Sequence, residues 1–238
     1  MIDCVASWIR AAQRLVLLTG AGISAESGVP VFRGPGGLWR QFRPEDLATP
    51  GAFDERPELV WEWYVWRRER IAAAQPNQGH HVIAHWQQTR AAALLTQNVD
   101  GLHERAGGGP SIELHGNLWR VRCAQGCGFR AHDNHASAPR TALRCRCGGW
   151  LRPDVVWFGE PLDPQALDGA TRAAEGADVV LVVGTSAVVY PVAALPHLAR
   201  RHARLVEINI DETALSAAAD ATLRGPSGEV LAALERAL

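Results

Sequence analysis

Four short apolar runs with no polar alternation, spaced by stretches of helical periodicity, constrain this chain more than any other feature. They are residues 14–18 (RLVLL), 92–95 (AALL), 178–183 (DVVLVV) and 204–208 (RLVEI). A strand that is apolar on both faces must be covered on both, as in a parallel sheet flanked by helices. Helical stretches lie between and after the runs, at 57–74, 79–89, 164–175, 192–202 and 228–238. This alternation predicts an α/β fold built on a doubly wound parallel sheet.

Two segments break the rhythm. Residues 34–89 begin in a Gly/Pro-rich loop and run into an aromatic-rich helix. Residues 120–150 hold four cysteines, many turn residues and little apolar content, too little to fold without a staple. Both read as insertions. The expected division is a nucleotide-binding domain from 1–34, 90–119 and 151–238, a helical insertion at 35–89 and a metal module at 120–150.

With 238 residues, 47% of them hydrophobic, the chain can bury a sizeable core. A net charge of −1 argues against a nucleic-acid partner, which calls for a basic excess. Residues 1–18 lack the ordered features of a signal peptide. No apolar run approaches the roughly 20 residues of a membrane span. The expected location is the cytoplasm, where thiols stay reduced, so five cysteines point to metal or catalysis rather than disulfides.

Several clusters carry chemistry. TGAGISAESG (19–28) follows the first run, and glycines there let a backbone approach a pyrophosphate. TQNVD (96–100) follows the second and is joined by ELHG (113–116), whose His115 is a candidate base near neutral pH. Cys123 and Cys127 are separated by three residues, Cys145 and Cys147 by one, and 17 lie between the pairs, close to the spacing of a four-cysteine zinc site. Gly184, Thr185 and Ser186 end the third run, and Asn209 and Asp211 follow the fourth, where small donors suit a ribose or phosphate. Taken singly, each cluster also has a plain structural reading as a turn, a helix cap or a packed thiol.

Together the segments GAGISAESGVPVFRG (20–34), TQNVDGLHERAG (96–107), ELHG (113–116), the four cysteines, LRPDVVWFGE (151–160), VVGTSAVVYP (182–191) and EIN (207–209) resemble the sirtuin family, in its order and over nearly the whole chain. The resemblance implies a Rossmann-like doubly wound sheet with a smaller zinc-binding module and a helical insertion. It implies NAD as a consumed co-substrate, one structural zinc on Cys123, Cys127, Cys145 and Cys147, and acylated lysine in proteins or peptides as the second substrate. The implied NAD site draws on Gly20, Ala21, Gly22, Ser24, Ala25 and Glu26, then Phe32, Arg33 and Trp39, then Gln97, Asn98, Val99 and Asp100. Its far side draws on Gly184, Thr185, Ser186, Asn209, Ile210, Asp211 and Ser227. By the same resemblance Asn98 orients the nicotinamide ribose, Asp100 engages the carboxamide and His115 is the general base. The acyl group then moves to the ribose, giving nicotinamide and O-acyl-ADP-ribose.

Val156 and Phe158, with Phe32, would line the lysine channel and exclude water. Phe158, Gly159 and Glu160 would lie beside a peptide that adds as a strand. Tyr64 and Arg67 match the Y-x-x-R of the desuccinylase and demalonylase subgroup, and Ala48 matches its small pocket residue. Positions i and i+3 share a helix face, so a phenol and a guanidinium can grip one carboxylate. Competing readings are a general deacetylase, a mono-ADP-ribosyltransferase on the same NAD site, and a zinc-ribbon nucleic-acid adaptor.

Overall fold

The computed structural model describes residues 1–32, 37–38, 41–136, 143–199 and 202–238. Arg33 and Trp39, both expected at the cofactor site, lie outside the described residues. Helix α1 (Ile2–Ala11) leads into β1 (Leu15–Thr19) and the single turn α2 (Gly22–Ala25). Then come α3 (Pro44–Leu47), α4 (Pro50–Glu55), α5 (Pro57–Ala73) and α6 (Gln78–Thr89). Strand β2 (Ala92–Thr96), the short α7 (Leu102–Arg105) and β3 (Ser111–Glu113) follow. Next are β4 (Gly116–Cys123), β5 (Arg130–His132) and β6 (Leu151–Val155). The chain closes with α8 (Pro164–Glu175), β7 (Val179–Val183), α9 (Leu195–Ala199), β8 (Arg204–Asn209), β9 (Ala221–Arg224) and α10 (Ser227–Ala237).

The four apolar runs become β1, β2, β7 and β8, at the centre of a six-stranded sheet of order β3-β2-β1-β7-β8-β9. Every pairing in it is parallel. Strand periodicity divides each run between two cores. Leu15 and Leu17 face one core with Val179, Leu181, Val183 and residues of α1, α6 and α10. Val16 and Leu18 face the other with Val180, Val182 and residues of α8 and α9. Among the described residues no helix is long and apolar enough to cross a membrane.

The structure adds what the apolar pattern does not signal. β3 is three half-buried residues on the sheet edge, and β9 alternates buried with part-exposed positions on the other edge. The stretch expected as one helix at 192–202 is a 3-10 turn at Val192–Ala194 and then α9. Pro196, which has no N–H to give, sits in the first turn of α9, where none is needed. Strand pairing also crosses the expected boundaries near 120 and 150. β4 and β6 pair antiparallel, with β5 on the far side of β4, in a separate three-stranded sheet.

Arg68 ties that small sheet to α5. It is fully buried. Its Nε donates to the Leu118 carbonyl at 2.8 Å, and its Nη1 donates to Asp133 at 2.6 Å. The guanidinium carbon lies 5.4 Å from the Trp61 ring centroid and 5.8 Å from that of Trp119. Burial raises the Asp133 pKa, but hydrogen bonds from Arg68 and His135 and the Arg68 charge outweigh it and hold the carboxyl below its ordinary value. Arg68→Met should cost about 3 kcal/mol, the lower end for removing one partner of a buried pair. Thermal unfolding should then show Tm lowered by roughly 6–12 °C. An unchanged Tm would place the joint elsewhere.

Candidate active site

A cavity of about 980 Å³ opens at the carboxyl ends of β1 and β7, where the strand order reverses direction. Such switch points are where open α/β sheets bind ligands. Gly20, Ala21, Gly22, Ala25 and Glu26 line one wall, and Gly184, Thr185, Ser186, Asn209, Ile210, Asp211 and Ser227 line the opposite one. The glycines are there first to let two backbones meet. Gly22 N–H donates to the Gly184 carbonyl at 2.7 Å, and Gly20 N–H to that of Val183 at 3.0 Å. A Cβ on Gly22 would lie 2.7 Å from Gly184 Cα, and one on Gly20 2.6 Å from Thr185 Cβ. The Gly22 N–H is thus committed within the protein. Thr185 joins the walls by accepting from Gln97 Nε2 at 3.0 Å through its hydroxyl and from Asn209 Nδ2 at 2.9 Å through its carbonyl. Glu26 accepts from the Gly228 N–H at 2.6 Å, fixing the start of α10 and with it Ser227.

The loop after β2 brings Gln97, Asn98 and Val99 to the cavity beside His115. His115 Nδ1 lies 3.1 Å from the Gln97 carbonyl, which can only accept, so Nδ1 carries the proton and Nε2 keeps its lone pair. Burial lowers the pKa of this ring below its ordinary 6.5, opposed by the bond to Gln97. The ring is therefore a neutral base at pH 7. Ser24 and Asp100 do not line this cavity. They stand one layer behind it, with Ser24 Oγ donating to Asp100 Oδ2 at 2.8 Å and accepting from Asn98 Nδ2 at 3.2 Å. Asp100 Oδ1 accepts from the Leu102 N–H at 2.9 Å.

At the inner end Tyr64, Arg67, Ala48 and Phe32 share the wall with Val156, Phe158, Gly159 and Glu160. Arg67 is 8% exposed. Its guanidinium carbon lies 4.9 Å from the ring centroids of Phe32 and Trp63, and 5.5 Å from that of Tyr64. Burial lowers its pKa, opposed by Tyr64 and Asp100, yet a guanidinium stays charged. Tyr64 is buried and its hydroxyl accepts from Trp157 Nε1 at 2.8 Å. Burial raises its pKa, so the phenol keeps a proton to donate. The Ala48 carbonyl accepts from the Phe158 N–H at 2.9 Å, locking the two sides of this pocket together. Glu160 also has internal partners. It accepts from both Nη atoms of Arg152 at 2.6 and 2.9 Å, from Arg122 at 3.2 Å and from the Trp157 N–H at 2.8 Å.

Cys123, Cys127, Cys145 and Cys147 converge, with all four sulfurs within 4.8 Å of one another. The closest pairs, Cys123–Cys147 and Cys127–Cys145, are 3.5 and 3.6 Å apart. A tetrahedral zinc with sulfurs at about 2.3 Å has edges of about 3.8 Å, so the donor set fits that ion despite its irregular spacing.

Sequence reasoning missed Trp63 and Trp157 as pocket walls. Trp63 was within reach, since it stands four residues before Arg67 on one helix face. It also missed His80 and His103, buried behind the QNVD loop. His103 stands inside the segment TQNVDGLHERAG, which could have flagged it, whereas nothing in the sequence separates His80 from the other histidines.

Known proteins share the sequence pattern and the fold. The Sir2 family pattern matches residues 20–191. An NAD-dependent protein deacylase of Pyrobaculum aerophilum is 51% identical over 229 residues, 95% of this chain and 92% of that protein. Among solved structures, the ADP-ribose complex of a mutant Sir2 homologue superposes with a TM-score of 0.96 at 48% identity, covering 100% of this chain and 96% of the other. A Sir2 homologue–NAD complex gives 0.92 at 48% identity, with 99% and 93% covered.

Burial raises the Glu160 pKa, but Arg152, the Trp157 N–H and Arg122 more than offset it and hold the carboxyl below its ordinary 4.5. A group whose folded pKa is depressed stabilises the fold above its unfolded pKa and loses that effect as pH falls through the folded value. Glu160→Gln should therefore lower Tm at pH 7, and the gap to wild type should narrow once pH falls below the ordinary 4.5 and close as it passes the depressed folded value. Paired thermal melts from pH 3 to 7 check this. A gap independent of pH would mean that the charge contributes nothing.

Proposed function

This chain belongs to the Sir2 family, and we propose that within it the enzyme favours acyl groups ending in a carboxylate, succinyl and malonyl, on lysines of other polypeptides. It is an NAD-dependent protein deacylase. The single observation behind the acyl preference is Arg67, a buried cation walled by aromatic rings. Among the described residues no carboxylate lies within 4 Å of it. The guanidinium meets the neutral Tyr64 hydroxyl, and burying a charge without an opposite one is costly. A substrate carboxylate would supply the partner, with two N–H groups from Arg67 and a hydroxyl donor from Tyr64. Ala48 leaves room for the longer chain. All 24 Lys and Arg positions are arginine, so none of these 238 residues can itself be the acyl-lysine substrate.

NAD would lie across the floor that the Gly20–Gly22 loop and Thr185 form together, alongside Asn209 and Ser227. It supplies a glycosidic bond whose cleavage releases nicotinamide and leaves the ribose as acyl acceptor. His115, with Nδ1–H committed to Gln97, offers Nε2 as the base for a ribose hydroxyl. Asn98 would orient that ribose, and Asp100 would act from behind through Ser24. Val156 and Phe158 would keep water from the lysine channel. The resident ion on the four cysteines would be zinc in a closed site, serving folding rather than chemistry.

The test is kcat/KM for acetyl, malonyl and succinyl forms of one peptide, following nicotinamide and O-acyl-ADP-ribose. A charge-assisted pair is worth about 1.5–3 kcal/mol, so Arg67→Met should lower desuccinylation roughly 10–150-fold and leave deacetylation equal or better. His115→Ala should lower all three alike, by roughly 10²–10⁴-fold. An equal loss of all three in Arg67→Met would make Arg67 a peptide or packing residue. ADP-ribose found attached to protein would shift the reading to ADP-ribosyl transfer.

Metal analysis of the purified protein should find about one zinc per chain, and Cys145→Ser should lower both zinc content and Tm. A stable, active, zinc-free protein would refute that assignment.

A further inference from the structure

Behind the QNVD loop lies a buried hydrogen-bond chain that begins on His103 and ends on the backbone of Asn98. His103 Nε2 is 3.1 Å from Thr19 Oγ1. Thr19 Oγ1 donates to Thr96 Oγ1 at 2.8 Å, and Thr96 Oγ1 accepts from the Asn98 N–H at 3.0 Å. Thr19 and Thr96 are register partners at the carboxyl ends of β1 and β2. They are 0% and 3% exposed, and His103 is 6% exposed. With the Thr19 proton given to Thr96, the imidazole must be the donor, so its proton sits on Nε2. We infer that His103 is a positioning residue: through Thr19 and Thr96 it fixes the Asn98 backbone, and with it the side chain held at the reaction centre.

Three features separate this from ordinary packing. First, a buried imidazole with one satisfied nitrogen is a poor way to fill space. Nδ1 of His103 has no hydrogen-bond partner among the described residues, so the bond to Thr19 is the ring's only one. An apolar side chain would fill the volume without that cost. Second, the chain of bonds runs one way, from α7 to the loop. Without His103, the fully buried Thr19 hydroxyl loses a partner and is free to rotate away from Thr96. The Asn98 N–H then depends on an unsupported hydroxyl. Third, a parallel arrangement holds the other side of the same loop. His80 packs on His103 with ring centroids 4.8 Å apart and planes tilted by 57°, and its Nε2 lies 3.4 Å from Ser24 Oγ, which bonds both Asp100 and Asn98. Asn77 N–H donates to His80 Nδ1 at 3.2 Å. Two neighbouring rings thus reach the loop through two different hydroxyls, His103 toward the Asn98 main chain and His80 toward its side chain. Burial lowers the pKa of His103 to about 4 and, with His103 as its neighbour, that of His80 to about 3, so both rings are neutral hydrogen-bonding groups.

The inference rests on the reading of Asn98 as a residue at the NAD ribose, and the test separates the two. The variants are His103→Leu, His103→Gln, His103→Asn, Thr96→Val, the double variant His103→Leu/Thr96→Val, and Asn98→Ala. Each is assayed for kcat and for the KM of NAD and of acyl-peptide. Gln carries its amide near the place of Nε2 and can serve Thr19, whereas Asn carries it near Nδ1 and cannot. We expect His103→Leu and His103→Asn to lower kcat roughly 5–100-fold, the range for leaving one buried hydrogen-bonding group unmatched. The KM of the acyl-peptide should stay within about twofold, because that channel is lined by other residues. His103→Gln should recover most of kcat. Thr96→Val should match His103→Leu, and the double variant should be no worse than either, since both cut one chain of bonds. Additive losses, or a Gln variant as poor as Asn, would overturn the inference. If His103→Leu fails to fold, the Gln–Asn comparison still decides. An impaired Asn98→Ala beside a normal His103→Asn removes this proposal alone. A fully active Asn98→Ala removes the site reading and the proposal together.

Discussion

The contact on which the rest depends is the meeting of two backbones at the sheet's switch point. Gly22 N–H and the Gly184 carbonyl are 2.7 Å apart, and neither glycine has space for a Cβ. That contact brings the loops after β1 and β7 together at the floor of the cavity. It sets Thr185 where both Gln97 and Asn209 can reach it, so the loops after β1, β2, β7 and β8 are tied to one another. The His115 tautomer follows from the same construction, because the Gln97 carbonyl that orients it belongs to a residue pinned by Thr185. A side chain at either glycine would force these loops apart.

How much of this the sequence disclosed depends on whether the signal was local. The central strands were legible because an uninterrupted apolar run has one economical solution, burial on both faces, and Leu15–Leu18 divides between two cores as that requires. Edge strands were not, since β3 and β9 owe their pairing to a neighbour and their own residues are half exposed. The small sheet was hidden for a related reason. β4 carries arginine at two alternate positions and β5 and β6 one each, and only the acidic residues met in three dimensions account for them. Asp154, for instance, lies within 4 Å of Arg120, Arg122 and Arg130. The cavity residues were named by segment rather than by geometry. Their segments do converge, but Ser24 and Asp100 stand behind the wall, which spacing along a chain cannot reveal.

Three buried arginines show why residue type alone was a weak guide. Arg68, Arg152 and Arg67 are all under 9% exposed. Arg68 has Asp133 and two carbonyls, and Arg152 has both oxygens of Glu160 and the Val155 carbonyl. Each is balanced within the protein and holds two segments together. Arg67 is adjacent to Arg68 in sequence, but a helix turns about 100° per residue, which sends its guanidinium to the cavity and to aromatic faces instead of a carboxylate. Aromatic faces attract a cation weakly compared with a desolvated ion pair. The imbalance is therefore local to Arg67, which lines the cavity.

The buried histidines divide in a comparable way. His80, His103 and His115 all have depressed pKa values, and burial is the leading cause in each. A depressed pKa is often read as the mark of a catalytic base, yet it fits all three and so cannot choose among them. Geometry can. Only His115 lines the large cavity, with its far nitrogen left as an acceptor by a carbonyl at the near one. His80 and His103 each meet a hydroxyl that is itself committed to the loop. Burial keeps all three neutral, and neutrality serves two ends: it leaves one ring able to take a proton, and it lets the other two hold hydroxyls in place without setting a charge beside Asp100.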